Sequence, residues 1–351
     1  MLRIGLGAFV LATLLGALWL ARGRALALSL ALAFPAAEGW LPGADVLREE
    51  VQIPFAGRMV AADLYRSGRP RGVVLLVHGL SAAGRRQPDL ARLARLLARH
   101  GPLVLVPQFD SLAAFKLDGH EVTAIVAALD HAAGLARPVA VAGFSFGAGP
   151  ALLAAAERPG IRLAGSFGGY ADLRSVITFI TTDAGAEPYN RWKLLQLLAG
   201  LVDDAHDRAG LDVIARAKLA GPFEDTSRRE SALRAEGRAV LALVHNRRAD
   251  AVGGLLAGLS SDTHAALDRL SPLSVMSRLR GRALIAHGRA DPSIPYTESV
   301  RLAEAAGTQA IILTAFHHTG PLSLAEIMRF GVPDGWKLVS LTEALLSARG
   351  P

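Results

Sequence analysis

The chain of 351 residues contains no cysteine, which removes disulfides, thiolate metal sites and a cysteine nucleophile together and leaves the cell compartment open. Lysine is scarce as well. The basic residues are almost all arginine, scattered along the chain and interleaved with Asp and Glu, so the formal charge of +7 builds no basic arm or patch. Nucleic acid is therefore not an expected partner. The ten histidines include no H-E-x-x-H, and no Asp/His cluster has metal-ligand spacing. No G-x-G-x-x-G opens a first βα turn, so neither a metal nor a dinucleotide cofactor is implied. There is no internal repeat and no low-complexity tract. What remains is a globular composition, 51% apolar and 20% charged, long enough for one large α/β domain with insertions or for two smaller domains.

One long apolar run is present. Residues Ile4 to Leu20 are uncharged over about 17 positions, the short end of a bilayer span, with Arg3 before and Arg22 and Arg24 after. A membrane anchor is the first expectation, making the protein membrane-associated through residues 1–42. A secretory signal removed by cleavage is the alternative, although the run is long for one and is followed by arginines. A second apolar stretch, Ala25 to Phe34, is too short to span unless it continues past Pro35 toward Leu41, and a helical hairpin made of both stretches is a third reading. The flanking arginines leave orientation undecided.

Beyond the link Pro35–Gly43, residues 46–65 read as two strands turning near Gly57. Gly72–Val77, Leu103–Val106, Pro138–Ala142 and Leu163–Phe167 are short apolar runs, as strands buried on both faces should be. Between them Leu90, Leu93, Leu96 and Leu97, then Val122, Ile125, Val126 and Leu129, fall on helical faces, and a small apolar helix follows Gly149. This alternation predicts a mostly parallel, doubly wound α/β sheet. It breaks over residues 170–270, where helical patterns occur without a buried strand, so a helical cap is expected to be inserted into a domain spanning 43–351. The alternation resumes with Ala283–Ala286, a helix around Glu298–Ala306, the strand Ala310–Thr314 and a closing helix from about Trp336.

The chemistry gathers at the ends of the predicted strands. Gly143-Phe144-Ser145-Phe146-Gly147 stands between a predicted strand and a predicted helix. A serine on so sharp a turn projects its hydroxyl at the helix N-terminus, with the Phe146 N–H aimed where an oxyanion would form. Serine needs a base, and the base needs an orienting acid. Asp291 follows the strand Ala283–Ala286, and His317 and His318 follow Ala310–Thr314, so acid and base reach one sheet edge. Adjacent histidines point apart, and only one can face Ser145. The loop after Val77 offers the N–H of Leu80 as second oxyanion donor, with His78 as a structural loop residue. Asp172, after Leu163–Phe167, is a lesser candidate acid.

Together these residues resemble the α/β-hydrolase superfamily, in its chain order of nucleophile, acid and base. His78-Gly79-Leu80 is similar to its oxyanion loop, Gly143–Gly147 to its nucleophile elbow, and Ser271-Pro272 through Pro295 to the segment that leaves the cap and carries the acid. Alanine at 290 departs from the acidic residue often found there, while Asp291 is retained. Phe316, His318 and Pro321 match the family's spacing around the catalytic histidine, whereas His317 does not. The resemblance covers residues 46–349, interrupted by the cap. It implies a serine hydrolase of carboxylesterase type, without cofactor, in which Ser145, Asp291 and His318 form the triad and Leu80 and Phe146 the oxyanion hole. The expected substrate is a hydrophobic, small-molecule or lipid-like ester, thioester or amide. A peptidase or acyltransferase with the same triad is the nearest alternative, with Glu224, Asp225 and Glu230 as possible grips for a substrate amine. A non-catalytic binding protein on the same fold is the other.

Overall fold

A computed structural model describes residues 22–221, 223–314 and 324–348. Within them, the strands β1 (Leu47–Phe55), β2 (Arg58–Arg66), β3 (Val73–Val77), β4 (Leu103–Pro107), β5 (Val139–Phe144), β6 (Leu163–Phe167), β7 (Ala283–Gly288) and β8 (Ile311–Leu313) form one sheet. Its order is β1-β2-β4-β3-β5-β6-β7-β8. β2 pairs antiparallel with β1 and with β4, and every later pairing is parallel. The first two strands are joined at Ala56 and Gly57, both at positive φ (47° and 76°), the conformation a two-residue hairpin needs. The helices are α1 (residues 22–33), α2 (Pro88–Arg99), α3 (Asp110–Ala113), α4 (His120–Leu135), α5 (Ala148–Ala156), α6 (Leu173–Thr182), α7 (Asn190–Ala199), α8 (Ala205–Ala220), α9 (Ser227–Ala232), α10 (Ala235–His245), α11 (Val252–Ala257), α12 (Ser261–Leu270), α13 (Tyr296–Ala306) and α14 (Leu324–Ser347).

Side-chain alternation along the central strands divides the core into two layers. Val73, Leu75, Val77, Leu103 and Leu105 face the layer that holds Ile125 and Leu129 of α4 and Leu152 of α5. Val74, Leu76, Val104 and Val106 face the other, with Leu90 and Leu97 of α2 and Leu341 and Leu345 of α14. β3 and β4 are buried along their whole length, which is why they read as unbroken apolar runs. Each such Val or Leu contributes on the order of 1.5–3 kcal/mol by leaving water.

The chain leaves this sheet after β6 and returns before β7. Described residues between those two strands are helical or loop, with no strand. The departure and return points touch: Tyr170 Oη donates to Leu270 O (3.0 Å), and the Leu173 and Leu273 amides donate to Ser271 Oγ (3.0 Å) and Ala171 O (3.1 Å). Glu298 of α13, itself buried, accepts from the Ala171 and Asp172 amides (both 3.0 Å), fixing the start of α6 against the sheet.

Of the N-terminal segment expected to serve as anchor and linker, residues 22–42 are described. The run Ile4–Leu20 lies outside the described residues, and among those described no helix is long and apolar enough to cross a membrane. The second apolar stretch forms α1 and packs on the domain. Leu28 and Ala31 enter the core layer with α2 and α14, and Ser29 Oγ meets Thr342 Oγ1 at 2.9 Å. Small residues on one face of α1 allow this close approach to α14, and Ser29 Oγ also donates to Ala25 O of its own helix (2.7 Å). The link beyond it is held too: Arg99 donates to Glu38 O (3.1 Å) and Leu41 O (2.9 Å), and Arg95 pairs with Glu38. The closing helix α14 begins twelve residues before the predicted Trp336 and runs through Pro333. A proline forfeits one backbone bond and strains the turn before it. Burial of Leu338, Leu341 and Leu345 beyond it offsets that cost.

Glu121, in the first turn of α4, is buried and accepts from the Gly119 N–H (3.1 and 3.2 Å). Burial pushes its carboxyl up to about 7, with the Gly119 amide opposing and neighbouring Asp118 adding to the rise. An acid whose pKa is higher folded than unfolded favours folding when protonated. Its contribution is therefore lost as pH climbs from about 4.3, the unfolded value, toward the folded one. Glu121→Gln, neutral throughout, is expected to gain about 2–3 kcal/mol on the wild type between about pH 5 and about pH 8 in urea unfolding. An equal difference at both pH values would contradict the shift.

Candidate functional site

The site is built from the C-terminal ends of the parallel strands. β5 lies between β3 and β6, with Gly143 in register with Val77 on one side and Ser166 on the other. The chain then turns through Ser145 at φ 51°, a left-handed conformation that costs a non-glycine residue about 1–3 kcal/mol. Residues Ser145–Gly147 form a 3-10 turn that runs directly into α5, so the Phe146 N–H opens a helix and has no acceptor within it.

The flanking glycines are dictated by contact. A Cβ on Gly147 would stand 2.1 Å from His78 O, and one on Gly143 2.5 Å from Ala148 Cα. Gly79 is equally constrained, since its Cβ would lie 2.9 Å from Phe144 O and 3.0 Å from Ser145 Cβ. The loop after β3 thus rests on the elbow and brings Leu80 beside Ser145. His78 is structural, as expected. Its Nδ1–H donates to Gly79 O (2.8 Å) and its Nε2 accepts from the Phe109 amide (3.1 Å), a pattern that defines a neutral tautomer. Burial pushes its pKa down, which keeps the ring neutral.

Asp291 stands just past the end of β7 and is buried. Its Oδ1 accepts from the Ser293 (2.8 Å) and Ile294 (3.1 Å) amides, and its Oδ2 lies 3.3 Å from His287 Nε2. His287 is a residue that the sequence reading missed. Its Nε2 donates to Ile294 O (2.9 Å) while its Nδ1 meets Ser299 Oγ (2.7 Å), so it braces the turn carrying the acid. Its place four residues before Asp291, at the end of an apolar strand, was the available signal. Asp172, the lesser candidate acid, caps α6 by accepting from the Arg174 amide (2.9 Å).

His317, His318, Phe316 and Pro321 lie outside the described residues. The chain enters their segment from a fixed point: the Thr314 amide donates to Asp334 Oδ2 (2.6 Å) of α14, and Lys337 donates to Ile312 O (2.7 Å).

Leu80, Ser145 and Phe146 line one cleft of about 70 Å³, together with Ser293 from the acid turn. Its other described walls are Ile180 of α6 and Asn190, Lys193, Leu194 and Leu197 of α7. Asn190 Nδ2 donates to Pro292 O (3.2 Å) and Ser293 Oγ (3.0 Å), joining α7 to the acid turn. Neither Asn190 nor Lys193 was singled out in the sequence. A larger hollow of about 870 Å³ lies between the β1–β2 hairpin and the loop after β4, and none of the expected site residues lines it. Ser145 does not line it, and the smaller cleft is the candidate site.

The acidic candidates for gripping an amine are elsewhere. Asp225 accepts from the Ser227 amide (3.0 Å), Glu230 accepts from Thr226 Oγ1 (2.6 Å), and neither they nor Glu224 line the cleft. Asp204, His206 and Asp207 form the one metal-like cluster among the described residues. Its carboxylates are committed to capping: Asp204 accepts from the Asp207 amide (2.9 Å), and Asp207 from the Arg234 and Gly237 amides (both 2.7 Å).

No protein-family model matches the chain, and no curated protein does. Solved structures do. The α/β hydrolase GrgF from Penicillium sp. sh18 superposes with a TM-score of 0.51 at 15% identity, covering 86% of this chain and 99% of that one. DcsB, solved with its substrate analogue, gives 0.50 at 12% identity over 86% of this chain and 100% of its own. A puromycin-hydrolyzing peptidase of Mycobacterium tuberculosis gives 0.47 at 19% identity over 86% of this chain. The chain spans only 38% of that peptidase's length. Sheet order, elbow and structural neighbours agree: this chain has the fold of the α/β-hydrolase superfamily.

Proposed function

We propose that the chain is a serine hydrolase that cleaves an ester, thioester or amide through an acyl-enzyme on Ser145. The observation that carries this reading is the strained Ser145, held at φ 51° in the cleft shared with Leu80 and Phe146. Strain of this kind persists only where the surroundings over-determine it, and it concentrates at functional sites. Ser145 Oγ attacks the substrate carbonyl while His318 takes its proton. Asp291 orients the imidazole and stabilises its charged form. The Leu80 and Phe146 amides receive the oxyanion. Collapse of the intermediate breaks the bond to the leaving group, which departs with the proton from His318. Water then repeats the sequence on the acyl-enzyme, releasing the acid and restoring the serine.

The apolar wall of Ile180, Leu194 and Leu197 supports a hydrophobic acyl group in this cleft. We place the domain at a membrane surface, tethered by Ile4–Leu20. The uncharged apolar run of about 17 residues supports this placement.

A fluorophosphonate probe tests the reading directly. The full-length protein is expected to label strongly, His317→Ala to label like it, and His318→Ala to lose labelling by roughly a thousandfold or more in rate. Folded wild type that does not label would overturn the assignment of Ser145. Loss in His317→Ala alone would move the base by one residue.

A further inference from the structure

Among the described residues lining the cleft over Ser145, one carries a charge: Lys193. It stands on α7, half-buried, between Asn190 and Leu197 along the wall that faces the nucleophile. Its Nζ lies 4.2 Å from the centre of the Tyr189 ring. Among the described residues it has no ion pair and no hydrogen bond. The chain's other lysines include a contrasting case, since Lys337 donates to Ile312 O and pairs with Asp334 at 3.1 Å. Glu187 attracts the Lys193 charge from beyond ion-pair distance, but it is exposed and does not line the cleft.

An ammonium taken partly out of water without a direct ion pair is a cost that the fold bears. The face of Tyr189 returns only about 0.5–1 kcal/mol of it. Burial accordingly pushes the amine's pKa down, with Glu187 opposing. A leucine at this position would continue the apolar wall made by Leu194, Leu197 and Ile180 at no such cost. What the cation adds is attraction for a negative group entering the cleft, strengthened by the low polarity of its surroundings. Lys193 and Ser145 line the same cleft, so that group would belong to the same molecule as the carbonyl at Ser145.

We infer that Lys193 binds an anionic group of the substrate, a carboxylate carried a few carbons from the carbonyl that Ser145 attacks. This rests on the hydrolase reading of the same cleft. The ligand class is therefore a half-ester or half-amide of a short dicarboxylic acid, rather than a simple fatty acyl ester.

Two esters of equal length separate the possibilities: the para-nitrophenyl half-ester of glutaric acid, and para-nitrophenyl pentanoate, which has a methyl group where the first has its carboxylate. The full-length wild type is expected to favour the half-ester in kcat/KM. Lys193→Met is expected to lower the ratio of the two kcat/KM values by about tenfold or more, the worth of one charge-assisted contact, and Lys193→Arg to restore most of it. The effect should appear mainly in KM for the half-ester and weaken with added salt. Hydrolysis of pentanoate with no preference for the half-ester, or a ratio that Lys193→Met leaves unchanged, overturns the inference. Failure of folded wild type to hydrolyse either ester or to label with fluorophosphonate overturns the hydrolase reading itself, and this inference with it.

Discussion

Ser145→Ala is expected to abolish ester hydrolysis, lowering kcat by about 10⁴-fold to 10⁶-fold while leaving the protein folded. The size follows from what is lost. Without Oγ no acyl-enzyme forms, and only attack by water assisted by the oxyanion donors remains. Fold retention follows from the backbone, because alanine meets the left-handed conformation at φ 51° with a side chain no larger than serine's. Ser145→Gly sharpens the test. It removes the nucleophile and also the strain, so it should be as inactive as the alanine variant yet more stable than the wild type by about 1 kcal/mol. Hydrolysis of para-nitrophenyl acetate and thermal unfolding, measured on one set of preparations, check both halves. An alanine variant retaining more than about a tenth of the activity would place the chemistry elsewhere.

Gly147→Ala should be severely damaging for the addition of one methyl group. Its Cβ would stand 2.1 Å from His78 O and 2.8 Å from His78 C, both backbone atoms of a loop that leaves a fully buried strand. No flexible side chain can turn aside there. Either the loop after β3 shifts, taking the Leu80 amide out of place, or the elbow itself unwinds. The expected cost is more than about 3 kcal/mol, with loss of probe labelling in whatever fraction stays folded. Gly134→Ala is the matched control. It lies within α4 with nothing within 4 Å of the new Cβ, so it should be neutral or stabilising by up to about 1 kcal/mol. A Gly147→Ala protein as stable and as reactive as the wild type would mean that the elbow and the β3 loop are not packed as described.

The legible parts of the molecule are those where one local rule has no competitor. β3 and β4 could be read because strands covered on both faces can tolerate only apolar side chains. Gly143 and Gly147 could be read because neighbouring backbone leaves no room for a side chain, which makes the spacing itself informative. The closing helix was placed late because Pro333 is locally a stop signal, and only burial of the residues beyond it overrides that signal. Ala25 to Phe34 is legible as apolar, but not as belonging to the domain. Lipid and a protein surface accept much the same side chains, and the distinguishing contact, Ser29 with Thr342, joins positions 313 residues apart. Asn190 and Lys193 were silent for a related reason. They sit on a helix whose position over the sheet is set by packing across the whole stretch between β6 and β7.

That helix also ties the wall of the cleft to the turn beneath it. Asn190 holds Pro292 and Ser293, the residues that immediately follow Asp291, and the Glu187 amide also donates to Pro292 O (3.3 Å). The wall and the Asp291 turn are therefore one mechanical unit: a substitution such as Asn190→Ala, made far along the chain from Asp291, would loosen both together.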